Sequence, residues 1–202
     1  MRSSPRERRL AADYRSIAQL LAESTILQAD ARGTPPQQYR FRFHGWGIGL
    51  SPAGEIAPRD EHEVIVELGA AYPRMMPNLT WKTPIFHPNI SANGIVCLGG
   101  YGTHWVPSLT LSELCTMLWD IIRYKNFNIE SPYNREAAEW ARTQTAYQFP
   151  LDPRPLRDYV AQAGELGRPE PGSPAEGNLA EPRQAQPPRL PPSPPPDIVF
   201  LD

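Results

Sequence analysis

Four residues that could do chemistry sit close together in this chain. They are His87, Pro88, Asn89 and Cys97, within Phe86-His87-Pro88-Asn89-Ile90-Ser91-Ala92-Asn93-Gly94-Ile95-Val96-Cys97-Leu98-Gly99. A cysteine thiolate is a nucleophile able to carry an acyl group. An imidazole can move a proton, and a carboxamide can donate to a developing oxyanion. Asn93-Gly94 reverses the chain shortly before the sulfur, and Gly99-Gly100 follows it, where a second backbone can approach closely. A sulfur in that setting is placed to be reached by another polypeptide. The competing reading is a buried cysteine acting as a small hydrophobe, and composition alone leaves both open. The stretch 84–109 has little periodicity, and long irregular segments in compact domains usually carry function.

The elements that must position these residues are legible on either side. Ser4-Pro5-Arg6-Glu7 is a capping box with proline at the first helical position. Leu10, Tyr14, Ile17 and Leu21 then recur at helical spacing, so a helix is expected over about 5–23. Strands are expected at 26–29, 39–44, 63–68 and 78–83, of which Tyr39-Arg40-Phe41-Arg42-Phe43-His44 alternates most cleanly. Turn-rich links (RGTPPQ, GLSPAGEIAPRD, AAYPRMMP) join them, which predicts an antiparallel meander. GWGIG (45–49) precedes no helical pattern, so it reads as a strand end or bulge rather than a phosphate loop. Thr110-Leu111-Ser112-Glu113 is a second capping box, opening a helix with Leu111, Leu114, Leu118, Ile121 and Ile122 on one face. A last helix fits 135–147 behind Asn134 as cap. The fold class is therefore α+β: an N-terminal helix, a four-stranded antiparallel meander, an irregular loop with the cysteine, then C-terminal helices.

Composition divides the chain and excludes several classes. Residues 1–148 read as one folded domain, and 149–202 as a proline-rich, mostly disordered tail holding QPPRLPPSPPP and the apolar end DIVFLD. Net charge is −2 and no long basic run occurs, so nucleic acid is not an implied partner. No apolar stretch approaches the roughly 20 residues that span a bilayer, so no membrane partner is implied. Two cysteines, Cys97 and Cys115, cannot build a disulfide framework or a zinc site; no metal is expected, and a reducing, cytoplasmic setting is the simplest reading. The basic residues are 18 arginines and only two lysines, Lys82 and Lys125.

The His87-Pro88-Asn89 triplet, with Cys97 at the eighth residue after Asn89 and Asn93-Gly94 between, resembles the ubiquitin-conjugating enzymes. Tyr72-Pro73 with Pro77 is similar to the family's Tyr-Pro…Pro turn. Trp105 and Pro107 resemble its Trp-x-Pro before the second helix, and SPYNREAAEW (131–140) its Pro-Leu-Asn…Ala-Ala helix start, with Tyr133 in place of leucine. The order and spacing agree over about 5–148.

The resemblance implies that Cys97 accepts the C-terminus of a ubiquitin-like protein from an activating enzyme as a thioester and passes it to an amine. It implies that Asn89 stabilises the oxyanion or braces the loop. His87, Pro88, Trp105 and Pro107 would hold the site's shape, while Ser131 and Glu130 would position the incoming amine. Arg6, Arg8, Arg9, Arg74, Pro107 and Ser108 would face partners: the activating enzyme, a ligase and the protein substrate. No cofactor is implied, since ATP is consumed by the activating enzyme. Three departures stand out. Arg74 replaces the family's usual aromatic or apolar side chain, the family's C-terminal helix is missing or replaced, with LDPRPLRDYVAQ (151–162) as a proline-weakened candidate remnant, and the link from GWGIG to DEHE is unfamiliar. With the arginine bias, they suggest a bacterial relative. The alternatives are a non-catalytic scaffold of the same fold and a cysteine hydrolase using His87 or His104.

Overall fold

The structure is a computed structural model that describes residues 3–98 and 105–159. Gly99, Gly100, His104 and the expected tail from residue 160 onward lie outside the described residues. The elements run α1 (Pro5–Ala22), β1 (Leu27–Gly33), β2 (Pro36–Leu50), β3 (Ile56–Glu67), β4 (Asn78–Trp81), α2 (Leu111–Ile122) and α3 (Arg135–Thr143). The four strands form one antiparallel sheet in sequence order, the expected meander.

Both capping boxes are present. Ser4 accepts from the Glu7 amide and Thr110 from that of Glu113, with each glutamate reaching back to its cap. The buried face of α1 is Leu10, Asp13, Ile17 and Leu20; Leu21 packs at its edge, partly buried, whereas Tyr14 lies off it and is exposed. The sequence reading missed this phase because a carboxylate was not expected in the middle of an apolar stripe. On β2 the alternation holds: Tyr39, Phe41 and Phe43 are fully buried against α1 and α2. Burying one such side chain contributes roughly 1.5–3 kcal/mol, so this row alone accounts for much of the sheet's attachment. The opposite face is charged, with Arg40–Glu63 at 3.6 Å and Arg42–Asp30 at 3.1 Å.

Strands β2 and β3 are longer than expected. The link GLSPAGEIAPRD is mostly strand: Leu50 pairs with Ile56, and only 51–55 turns. A bulge between His44 and Gly47 interrupts the ladder, as GWGIG suggested. Its glycines answer a shortage of space. A Cβ on Gly45 would strike Trp119 and the Asp152 carboxylate, and one on Gly47 would lie 2.8 Å from the Ile122 carbonyl. Helix α2 and the chain after α3 therefore press directly on the backbone of β2.

The packed chain also continues past the boundary expected at 148. Asp152, Leu156 and Asp158 are buried. Arg123 donates to the carbonyls of Asp152 and Arg154 at 3.2 and 3.1 Å, and Trp119 Nε1 donates to the Arg154 carbonyl at 2.9 Å. Asp158 accepts from the Thr25 amide at 2.7 Å. Pro153 and Pro155 hold this strap out of a helix, so composition made it look like tail while its carboxylates and one leucine anchor it.

A second apolar cluster sits behind the cysteine loop: Ile48, Phe86, Tyr124 and Ala137, with Phe127, Trp140 and Phe149 around them. Tyr124 follows α2 in the left-handed region at φ 58°, where a non-glycine residue is strained by roughly 1–2 kcal/mol. Its hydroxyl bond to the Phe86 carbonyl (2.5 Å) and its stacking on Phe149 (4.6 Å between centroids) offset that cost.

Candidate active site

The loop after β4 is tied down at both ends before it reaches Cys97. The Trp81 amide donates to the Gly94 carbonyl at 2.7 Å, and Thr80 bridges Ile95. Gly94 has φ 77°, and a Cβ there would collide with the Trp81 carbonyl, so the turn needs glycine twice over. The chain then doubles back on itself: the Cys97 amide donates to the Asn89 carbonyl at 2.8 Å. Cys97 is partly exposed, whereas Cys115 is buried.

Asn89 is buried, and both ends of its carboxamide are engaged. Nδ2 donates to the Cys97 carbonyl at 3.2 Å, and Oδ1 accepts from the Asn128 amide at 2.8 Å. The Asn128 side chain in turn accepts from the amides of Glu130 (2.9 Å) and Ser131 (3.2 Å). A continuous hydrogen-bonded chain therefore links Cys97, Asn89, Asn128 and the exposed pair Glu130 and Ser131. Asn128 was missed by the sequence reading. The available signal was weak: an asparagine two and three residues before unpaired amides, the pattern of an Asx turn.

His87 lies behind the loop with no exposed surface. Its Nδ1 accepts from the Asn89 amide at 3.0 Å, and its ring packs edge-on to Tyr124 at 4.6 Å. Burial, with a smaller contribution from His62, lowers its pKa to about 3, so it is neutral at physiological pH. The Pro88 carbonyl accepts from the amides of Tyr133 (2.8 Å) and Asn134 (3.0 Å), which fixes the entry to α3 against the triplet.

Trp105 Nε1 donates to the Pro73 carbonyl at 2.7 Å, joining the Tyr72-Pro73 turn to the loop before α2. Beside it, Asp13 accepts from Tyr72 (2.6 Å), from Arg9 Nε (2.8 Å) and from the Leu111 amide (3.1 Å). Arg9 also donates to the carbonyls of Pro107 and Leu109. Arg6 donates to Gln37 and to the carbonyls of Leu68 and Gly69. Arg6 and Arg9, expected to face partners, also bond within the fold and stay partly exposed. Arg8, Arg74, Pro107 and Ser108 are exposed, as are Met75, Met76 and Val106 nearby. Among the described residues no His, Cys, Asp or Glu cluster could hold a metal ion, and no helix is long and apolar enough to cross a membrane.

Comparison with known proteins places the family and the fold. Residues 45–150 match the model of the ubiquitin-conjugating enzyme family. Ubiquitin-conjugating enzyme E2 16 of Schizosaccharomyces pombe is 36% identical over 85 residues, 41% of this chain and 52% of that protein. The match thus spans about half the length of the curated relative. Among solved structures, Ubc12 of S. cerevisiae superposes with a TM-score of 0.56 at 22% identity, over 72% of this chain and 75% of that one. A chain described as a novel ubiquitin-conjugating enzyme gives 0.50 at 18% identity, over 67% and 84%. Both share the fold of this protein.

Proposed function

The chain belongs to the ubiquitin-conjugating enzyme family, and from that premise we propose that Cys97 carries a ubiquitin-like protein as a thioester. The Cys97 thiolate attacks the thioester carbonyl presented by an activating enzyme. A new carbon–sulfur bond forms and the activating enzyme's thiolate leaves. An amine of the acceptor then attacks the Cys97 thioester. The carbon–nitrogen bond forms, the carbon–sulfur bond breaks, and the amine loses a proton to solvent or to Glu130. The first exchange trades one thioester for another and is nearly isoenergetic.

The observation that carries this reading is the amide bridge of Asn89 between the Cys97 carbonyl and the Asn128 amide. It holds a partly exposed sulfur on a fixed loop and sets Glu130 and Ser131 on the same hydrogen-bonded frame. With both amide ends engaged, Asn89 acts first as a brace; an oxyanion would have to displace the Cys97 carbonyl from Nδ2. Glu130 and Ser131 position the amine, and Arg74 with Pro107 and Ser108 contacts the activating enzyme or a ligase. The hydrolase alternative needs His87 or His104 paired with the thiol; His87 instead bonds Asn89 from a fully buried position, and His104 lies outside the described residues.

The test is charging. Wild type and Cys97→Ser would be incubated with a ubiquitin-like protein, its activating enzyme and ATP, then run with and without reductant. The expected result is a reductant-sensitive adduct in wild type that is absent, or replaced by a reductant-resistant ester, in the variant. No adduct when the activating enzyme is itself charged would favour the scaffold.

A further inference from the structure

A cleft of about 730 Å³ opens beside the cysteine loop, lined among others by Lys82, Ser91, Asn93, Tyr133, Arg135 and Glu136. Both of its walls are hydrogen-bonded to the segment that carries Cys97. On one side Trp81 holds Gly94; on the other, Tyr133 and Asn134 hold Pro88. A chain seated in this cleft is therefore fixed in position relative to Cys97 by backbone rather than by mobile side chains.

The charges in the cleft are unbalanced. Lys82 and Arg135 are exposed and make no ion pair among the described residues, whereas Lys125 sits 3.5 Å from Asp120 and Arg142 sits 2.8 Å from Glu139. Glu136, the one carboxylate on the lining among the described residues, lies in the first turn of α3, where the helix N-terminus already offsets a negative charge. Tyr133, 53% exposed, stands at the same rim only two residues beyond Ser131. An exposed aromatic ring beside a cation of this kind is a common anchor for a polypeptide.

We propose that this cleft seats an acidic segment of the acceptor protein next to the amine to be modified, its carboxylates meeting Lys82 and Arg135 and its chain lying on Tyr133. The assignment names a substrate class for the thioester reading above and rests on it. Acceptors with glutamate or aspartate beside the target lysine would be preferred to neutral ones. An exposed charge contact is worth at most about a fivefold preference per pair.

Two measurements on the full chain separate the cleft from the chemistry. The first is fluorescence anisotropy of the uncharged protein with a labelled lysine peptide flanked by glutamates, and with its glutamine counterpart. The second is discharge of a Cys97 adduct, loaded by exchange from a small-thiol thioester of ubiquitin, by the same two peptides. The glutamate peptide is expected to bind and discharge several-fold better. That preference should collapse in Lys82→Glu and Arg135→Glu, and a peptide flanked by lysines should regain binding to Arg135→Glu. Tyr133→Ala should weaken both peptides alike. Equal behaviour of the two peptides on wild type, or a preference that survives both charge reversals, would overturn the proposal. Failure of Cys97 to load with ubiquitin or any other ubiquitin-like protein, while the binding preference holds, would overturn the thioester reading and leave the cleft as a binding site for acidic peptides only.

Discussion

Cys97 and Cys115 are the same side chain in two settings. Cys115 lies on α2 with no exposed surface, and burial pushes its thiol far above its ordinary value, so it is a small hydrophobe with no thiolate to offer. Cys97 lies on a loop whose backbone is hydrogen-bonded on both sides by one asparagine, and it stays partly exposed. Helix packing hides one sulfur, and a polar frame presents the other. Exposure here is a property of the element rather than of the residue.

That contrast can be broken most directly with an alkylating agent. Iodoacetamide should label Cys97 in the native protein and spare Cys115, and should label both once the chain is unfolded in urea. Mass spectrometry of the peptides reads this out. Equal native labelling of the two would end the comparison. Cys115→Ser should keep the adduct on Cys97 yet cost roughly 1–3 kcal/mol of stability, because its hydroxyl would be buried among apolar side chains.

The next effect in size concerns the frame. Asn89→Ala leaves the Asn128 amide and the Cys97 carbonyl without their partners. At roughly 1–2 kcal/mol for each lost bond, transfer should slow by about 10²-fold. Because Asn89 braces the loop, exchange with deuterium of the Cys97 amide, which bonds the Asn89 backbone carbonyl rather than its side chain, should also quicken. A purely electrostatic role would slow transfer and leave exchange unchanged. Asn128→Ala keeps its own amide on Asn89 but frees Glu130 and Ser131, so its effect on transfer should be smaller, about tenfold.

The same contrast explains what could be read without the structure. Helix caps, the aromatic row of β2 and the family resemblance are local or ordered patterns, and they placed the meander, α2 and Cys97. Asp13 acts through space, joining α1 to Tyr72 and Leu111, segments that only the fold brings together; Asn128 makes a local turn with its side chain but meets Asn89 through its backbone amide, a bond no sequence pattern marks. Asp13 also breaks the apolar pattern of α1, which moved the expected face by part of a turn. The strap at 150–158 was misread for the opposite reason. Its prolines look like tail, and what holds it is the far-off Arg123, Trp119 and Thr25.

Acid should undo the Cys97 side through its histidines. Burial lowers His87 to about 3 and His62 to about 4. Both are neutral when folded, so as pH falls the unfolded chain takes up protons first, near 6.5. Their contribution is complete above about 6.5 and is lost on the way down, each at up to about 1.4 kcal/mol per pH unit. The melting temperature should therefore drop between pH 6.5 and 4.5, before most carboxylates titrate. A flat profile across that window would mean that His87 is not held neutral beneath Asn89.

The smallest effect concerns nucleophiles on the protein itself. A thioester on an exposed sulfur is exposed to every nearby amine, and this chain offers two lysines in 202 residues. Lys82 lines the cleft built on the cysteine loop, and Lys125 is tied to Asp120 at 3.5 Å. Charged protein left without an acceptor should form little self-conjugate at lysine, and most of it at Lys82. Lys82→Arg should remove the larger part, and Lys125→Arg the rest, in peptide maps of the reductant-resistant product. If the amount of that product is unchanged in the double variant, the lysines are not what the thioester meets first, and the scarcity of lysine has no bearing on how Cys97 keeps its cargo.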